Sequence, residues 1–284
     1  MSEPAIHVLT HHAMATFFQV RIAGEEQSYS AQAARAAFDL LDRLEGLLSR
    51  FRETSEIQAI AALAPGEQIR LAEPVFRCLE IAQAMEATTS GAFSVAAAAR
   101  RTQSELPRWS LLEDEFAIRC DSGRLEFDLG AIGTGFALDR MVQELADWDC
   151  SAFLLNAGGS SILAGQPPPN TPGWSVGLGE DNAEPRFWLK ECSLSGSGTA
   201  VKGDHILDPR TGEPVRVRAR AWALASTAAE SDALSTACMV LNEDEIAKCL
   251  GDRADWLVLL QNQGDWRHYG KRALPAADKS QNDR

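Results

Sequence analysis

Hydrophobic residues recur at helical spacing in some segments of the chain and alternate with polar residues in others. The helical spacing predicts helices over residues 31–48, 73–88, 136–148, 230–241 and 243–250. Ser28 or Ser30 is the expected N-cap of the first helix, and Ser55 is expected to cap a shorter one. Pro74 is compatible with the second helix because it falls in the first turn.

Alternating segments predict strands that are joined mainly by hairpins. Expected strands cover residues 14–23, 116–120, 124–128, 152–155, 174–178, 186–190, 220–226, 256–260 and 266–269. Strands joined in this way, with helices inserted in blocks, predict an α+β fold with mixed, largely antiparallel sheets rather than a doubly wound sheet. We expect one domain over residues 1–272 and a flexible tail over residues 273–284.

The composition fits a folded protein that does not bind nucleic acid. The 284 residues are 45% hydrophobic, which is ample for a core. The formal net charge of −13 argues against nucleic acid as a partner, because a groove for phosphates needs a basic surface. The six cysteines have no metal-ligand spacing and are predicted to be small core residues. The first residues do not resemble a secretion signal, and no apolar run could cross a bilayer, so we expect a cytoplasmic protein without membrane insertion.

Three glycines, Gly130, Gly133 and Gly135, lie between a strand-like and a helix-like segment. Glycine permits positive φ and leaves space beside the backbone, so amides and a helix N-terminus can face a phosphate while carbonyls remain available to a cation. The same pattern also fits an ordinary loop.

Asp232 and Thr236 are one helical turn apart in the predicted helix over residues 230–241. A carboxylate and a hydroxyl on one helix face are suitable hard ligands for Mg²⁺. Alternatively, Ser231 or Asp232 is an N-cap and Thr236 bonds a carbonyl of its own helix. Asn156 is a candidate for a nucleotide site because it precedes a Gly-Gly turn at the end of a predicted strand.

A series of ordered blocks covering most of the chain resembles the ApbE-like family of FAD:protein FMN transferases. The blocks are residues 12–17, 48–57, 89–93, 128–139, 155–160 and 205–214, followed by the helix that carries Asp232 and Thr236. The resemblance implies an ApbE-like flavin transferase architecture of the T-fold type. It also implies Mg²⁺-dependent transfer of FMN from FAD to a Ser or Thr hydroxyl of an acceptor protein, with release of AMP.

The resemblance also assigns site residues. Gly133, through its carbonyl, Asp232 and Thr236 would hold Mg²⁺, and His205 and Asp232 would be the catalytic residues, with His205 as the base toward the acceptor hydroxyl. The residues expected to contact FAD are Met14, Phe93, Asp128, Gly130, Ala131, Gly135, Asn156, Gly158, Gly159, Ser195, His205, Ile206 and Asp208.

Two positions depart from the family pattern. Thr134 stands where members usually have lysine, and Ser94 where they usually have aspartate. The segment from Ser195 to His205 is also shorter and less aromatic than usual. Two alternatives to a transferase therefore remain: a non-catalytic FAD-binding or flavin-carrying protein on the same fold, and a Mg²⁺-dependent FAD pyrophosphatase that gives FMN and AMP.

Overall fold

A computed structural model describes residues 5–178, 186–198, 206–215, 218–262 and 265–277. The α-helices of these ranges are α1 (Gln27–Leu48), α2 (Glu56–Ala61), α3 (Glu73–Thr88), α4 (Gly133–Asp147), α5 (Ala228–Val240) and α6 (Glu243–Leu250). The strands are β1 (Ile6–Ala13), β2 (Thr16–Ala23), β3 (Gln68–Arg70), β4 (Arg108–Leu112), β5 (Ala117–Ser122), β6 (Phe153–Ala157), β7 (Ser161–Ala164), β8 (Trp174–Gly177), β9 (Arg186–Leu189), β10 (Cys192–Gly198), β11 (Arg220–Ala225), β12 (Leu257–Asn262) and β13 (Asp265–Tyr269).

An eight-stranded sheet forms the centre of the fold, in the order β1-β2-β6-β7-β10-β11-β12-β13. Every neighbouring pair in it is antiparallel. The predicted α+β class is therefore confirmed, together with its largely antiparallel character. In the described ranges no helix is long and apolar enough to cross a membrane.

The two faces of this sheet bury different hydrophobic clusters. Side chains of successive strand residues point to opposite faces, so Leu155 joins the larger cluster with α1, α4 and α5, while Leu154 joins a smaller one. The smaller cluster includes Trp174 and Val176, which come from β8 of the β8–β9 hairpin. Five of the six cysteines are buried, as predicted.

Local end signals explain which helix boundaries were predicted correctly. Helices α3 and α6 begin and end where expected, and Asn242 forms a full capping box with Glu245 at the start of α6. Ser55 caps α2 by accepting a bond from the Gln58 amide at 3.1 Å. The expected serine caps of α1 are wrong, because that helix begins earlier, with Glu26 as its N-cap.

The predicted hairpin of residues 116–120 and 124–128 is also wrong. Strand β5 pairs instead with β3 and β4 in a separate three-stranded sheet. Residues 124–128 cannot form a ladder with β5 because their amides are used elsewhere: the Glu126 amide bonds the Arg124 carbonyl, and the Asp128 amide bonds the Val95 carbonyl at 2.8 Å.

The end of the chain is described as far as Ala277. The Trp188 amide donates to the Ala276 carbonyl at 2.9 Å, and Phe187 pairs with Ala277. This part of the predicted flexible tail therefore lies against β9 rather than extending freely into solvent.

Candidate active site

The glycine-rich segment is a short turn that leads directly into α4. The Asp128 carboxylate accepts a bond from the Gly130 amide at 2.9 Å and lies 3.5 Å from the Arg50 guanidinium. Helix α4 begins at Gly133, three residues earlier than predicted. Gly130, Gly133 and Gly135 are absent from the glycines with positive φ, so the expected left-handed backbone at these positions is wrong.

Gly135 is required instead by the close approach of two helices. A Cβ atom at this position would lie 2.2 Å from the carbonyl oxygen of Ala228, the first residue of α5. Asp139, one turn further along α4, accepts bonds from the Ala228 and Ala229 amides at 2.7 and 2.8 Å. Helix α4 therefore both crosses and caps the beginning of α5. Burial raises the pKa of Asp139 to about 6.

The same contact between helices fixes the carboxylate of Asp232. Its Oδ2 atom accepts a bond from Thr134 Oγ1 at 2.8 Å and one from the Gly135 amide at 3.2 Å, and the residue is only 6% exposed. The alternative in which Ser231 or Asp232 caps the helix is wrong, because the N-cap is Thr227. Thr134, which departs from the family pattern, thus acts as a hydrogen-bond donor to Asp232.

Thr236 lies one turn after Asp232, and its hydroxyl contacts Ser197 Oγ at 3.0 Å. Ser197 Oγ also contacts Ser235 Oγ at 2.9 Å. The carboxylate of Asp232, which contacts the first turn of α4, and the hydroxyl of Thr236 therefore lie on neighbouring turns of α5. In the described ranges no group of three or more His, Cys, Asp or Glu side chains is arranged to hold a metal ion.

Two turns meet at one end of the central sheet. Met14 and Ala15 connect β1 to β2, both with left-handed φ values, of 49° and 58°. The turn after β6 contains Gly158 and Gly159, which have φ values of 59° and 72°. The Gly158 amide donates to the Phe17 carbonyl at 2.8 Å, and the Gly159 amide donates to Asn156 Oδ1 at 2.9 Å. The structure therefore brings four of the expected FAD contacts together: Met14, Asn156, Gly158 and Gly159.

A cavity of about 230 Å³ adjoins the second of these turns, on the sheet face of the smaller hydrophobic cluster. Trp222 closes one side, and it can approach because position 196 is glycine: a Cβ there would lie 2.8 Å from Trp222 Cδ1. Pockets for whole drug-sized ligands are larger, about 300 to 1,000 Å³. The described cavity can therefore take one ring system of a dinucleotide, but not the whole molecule. Its lining residues are Gly158, Gly159, Ser160, Ile162, Gly177, Leu178, Leu194, Gly196 and Trp222.

Residues 206–215 fold back on themselves, and Leu207 pairs with Pro214. Asp208 accepts bonds from the Arg210 side chain, which also reaches Glu245 at 2.7 Å, and the bond to Asp208 raises the pKa of Arg210. Asp208 is therefore engaged with Arg210. His205, the predicted base, lies outside the described residues.

Three of the expected FAD contacts have buried side chains. Phe93 and Ile206 belong to the larger hydrophobic cluster, at 2% and 7% exposure. Ser195 is fully buried, and its hydroxyl contacts Ser231 Oγ at 2.8 Å. Ser195 and Phe93 therefore present almost no surface to a ligand in this conformation. Ala131 is partly buried against the larger cluster.

Several residues of the site were not predicted from the sequence, namely Ser197, Asp139 and Trp222. A readable signal existed for Ser197, because Ser193, Ser195 and Ser197 alternate as expected for one face of a strand. The other departure from the family pattern, Ser94, is buried, and its Oγ accepts a bond from the Ala96 amide at 3.2 Å.

Comparison with known proteins gives a consistent result. The model of the ApbE family matches residues 14–259. An FAD:protein FMN transferase of Klebsiella pneumoniae (strain 342) is 25% identical, with 66% of this chain and 68% of the relative covered. One of Treponema pallidum (strain Nichols) is 24% identical, with 81% and 77% covered.

Two solved structures have the same fold as this chain. The Pseudomonas stutzeri flavinyl transferase ApbE in its apo form matches with a TM-score of 0.78 and 18% identity, over 100% of this chain and 98% of its own. The ApbE protein of Thermotoga maritima matches with a TM-score of 0.80 and 21% identity, over 93% and 97%. The resemblance noted in the sequence is confirmed, since the family model spans most of the chain, and the chain belongs to the ApbE family.

Proposed function

We propose that the protein is an FAD:protein FMN transferase, which moves FMN from FAD to a Ser or Thr hydroxyl of an acceptor protein and releases AMP. The observation that carries this proposal is the attachment of Asp232 to the first turn of α4, where the Thr134 hydroxyl and the Gly135 amide both bond its Oδ2 atom. Support also comes from the curated relatives, which are named FAD:protein FMN transferases.

The donor set at this point fits Mg²⁺, because a carboxylate, a hydroxyl and a main-chain carbonyl are all hard oxygen ligands. The residues that would hold the ion are Asp232, Thr236 and Gly133. When bound, the cation would neutralise negative charge on the pyrophosphate of FAD. Helix α4 contributes by holding the Asp232 carboxylate in one orientation before substrate arrives.

The two turns at the sheet end would bind the dinucleotide. Met14, Asn156, Gly158 and Gly159 are the proposed contacts there, and the adjoining cavity suits one ring system. Glycine amides can approach a phosphate closely because no side chain intervenes. Asp128, Gly130 and the turn into α4 are proposed to lie near the phosphates, with the N-terminus of α4 favouring negative charge.

The transfer joins the acceptor oxygen to the phosphorus of the FMN half of FAD. The bond from that phosphorus to the bridging oxygen breaks, and AMP leaves with this oxygen. The proton of the acceptor hydroxyl passes to a base, and we assign this role to His205 from the family resemblance. An imidazole suits the role because it changes its protonation near neutral pH.

The experiment follows two products at once. The protein is incubated with FAD, Mg²⁺ and a fusion protein carrying a threonine acceptor peptide; flavin fluorescence is read on a denaturing gel and AMP by chromatography. Fluorescent acceptor and AMP in equal amounts, both lost in Asp232→Ala, are expected. Asp252→Ala is the matched control, because the side chain of Asp252 is 98% exposed and pairs with Lys271.

Other results would favour the alternatives. Release of FMN and AMP without labelled acceptor would indicate a pyrophosphatase, in which water replaces the acceptor hydroxyl. Tight binding of FAD that is recovered intact would indicate a flavin-binding protein without transferase activity. Either result would contradict the proposed transfer to this acceptor.

A further inference from the structure

A continuous row of hydroxyls connects strand β10 to helix α5 beside the proposed cation ligands. Thr236 Oγ1 contacts Ser197 Oγ at 3.0 Å, Ser197 Oγ contacts Ser235 Oγ at 2.9 Å, and Ser235 Oγ contacts the Asp232 carbonyl oxygen at 2.9 Å. Ser235 is fully buried, so bulk solvent does not reach its hydroxyl. Each hydroxyl has a single proton, which allows the direction of every bond in the row to be assigned.

The assignment starts at the Asp232 carbonyl, which has no proton and can only accept. Ser235 must therefore donate to it, and its oxygen is then the acceptor toward Ser197. Because the proton of Ser197 is used in that bond, Ser197 must accept from Thr236. The row thus runs in one direction, and the proton of Thr236 points at Ser197.

We propose that Ser197 is a positioning residue, which holds the proton of Thr236 so that the lone pairs of this hydroxyl face the divalent cation. The inference rests on the proposed function, since it concerns the same Mg²⁺ ligands. A hydroxyl that binds a cation needs an acceptor for its proton, and Ser197 Oγ supplies one. Without Ser197, the Thr236 hydroxyl could turn and donate to a carbonyl of its own helix, as threonine hydroxyls in helices commonly do.

The test is cation affinity, measured with Mn²⁺ by electron paramagnetic resonance as a substitute for Mg²⁺, both with and without FAD. Ser197→Ala is expected to weaken Mn²⁺ binding about tenfold, which is the usual effect of losing a partner of a metal ligand. Ser197→Thr keeps the hydroxyl and should restore the affinity. The Mg²⁺-induced rise in melting temperature should shrink in Ser197→Ala in the same way.

Ser193→Ala is the matched control. Ser193 lies on the same strand and faces the same helix, but its hydroxyl contacts Ser231 and the Ile162 carbonyl rather than Thr236. Ser193→Ala removes a fully buried hydroxyl from the same strand face, so this variant reports any general loosening of the contact between β10 and α5. Its affinity for Mn²⁺ should equal that of the wild type.

The outcomes separate this inference from the proposed function. If the wild type binds Mn²⁺ and Ser197→Ala binds it equally well, or if Ser193→Ala weakens binding as much as Ser197→Ala, the positioning role is refuted while the transferase proposal stands. If the wild type binds no Mn²⁺ with or without FAD, the Mg²⁺ site itself is refuted, and this inference with it.

Discussion

The crossing of α4 and α5 at Gly135 makes a quantitative prediction about stability. In Gly135→Ala the new methyl carbon would lie 2.2 Å from the Ala228 carbonyl oxygen, 2.5 Å from its carbonyl carbon and 2.9 Å from the Ala229 amide nitrogen. These are backbone atoms, and Asp139 holds both amides, so they cannot turn aside as a flexible side chain would. The helices must separate, and forced overpacking of this kind typically costs about 1 to 3 kcal/mol.

An opposing effect is the helix propensity of alanine, which exceeds that of glycine by about 1 kcal/mol in a helix interior. Gly46→Ala isolates this effect, because Gly46 is in α1 and a Cβ atom there would have nothing within 4 Å. We therefore expect Gly46→Ala to raise the free energy of unfolding by up to about 1 kcal/mol. Gly135→Ala should lower it by about 1 kcal/mol, because an overpacking cost of about 2 kcal/mol outweighs the same propensity gain, which leaves a difference between the variants of about 2 kcal/mol.

The assay is equilibrium unfolding in urea at pH 7, followed by circular dichroism. A common slope for the wild type and both variants is required before the midpoints are compared as stabilities. If Gly135→Ala unfolds at the same urea concentration as Gly46→Ala, the close contact of α4 with Ala228 is refuted. The argument that glycine is needed at position 135 for helix packing would then fail as well.

Two further predictions concern the backbone and a buried carboxyl group. Ala15→Gly should raise the free energy of unfolding by about 1 kcal/mol, since Ala15 has a left-handed φ of 58° that disfavours a Cβ atom. The control is Ala62→Gly, at a φ of −85°, which should lower the free energy of unfolding. A loss of stability in both variants would contradict the strain at Ala15. The pKa of Asp139 is raised to about 6, so the folded protein binds one more proton than the unfolded chain between about pH 4 and 6. As the pH rises through this window, the free energy of unfolding of the wild type should fall by roughly 3 kcal/mol relative to that of Asp139→Asn. Urea midpoints of both proteins from pH 4 to 7 check this, and a constant difference between them would refute it.

The sequence predicted best those helices whose own residues mark where they begin. Helices α3 and α6 are examples, because Pro74 marks a first turn and Asn242 with Glu245 forms a capping box. Strand β10 was missed for the opposite reason. The serines of β10 face a helix inside the protein, so a polar residue there does not indicate a solvent-facing position.

The sequence predicted those parts of the candidate site that depend on residues close together in the chain. Asp232 and Thr236 are one turn apart, and this spacing alone suggested that they lie on one face of a helix. Thr134 stands where family members usually have lysine, and in the structure its hydroxyl donates to the Asp232 carboxylate. The sequence does not predict this contact because the two residues are 98 positions apart in the chain.

The role of Gly135 likewise depends on a residue that is far away in the sequence. Its position in a glycine-rich segment suggested a flexible turn around a phosphate, but its φ is not left-handed, and it lies inside α4. Glycine is required there because of an oxygen atom of Ala228, which comes 93 residues later in the sequence. Since the Gly135 amide also bonds Asp232, the absence of one side chain permits both the crossing of the helices and the placement of the carboxylate. If the proposed cation site is correct, any change that separates α4 from α5 should weaken Mn²⁺ binding even when Asp232, Thr236 and Ser197 are all intact.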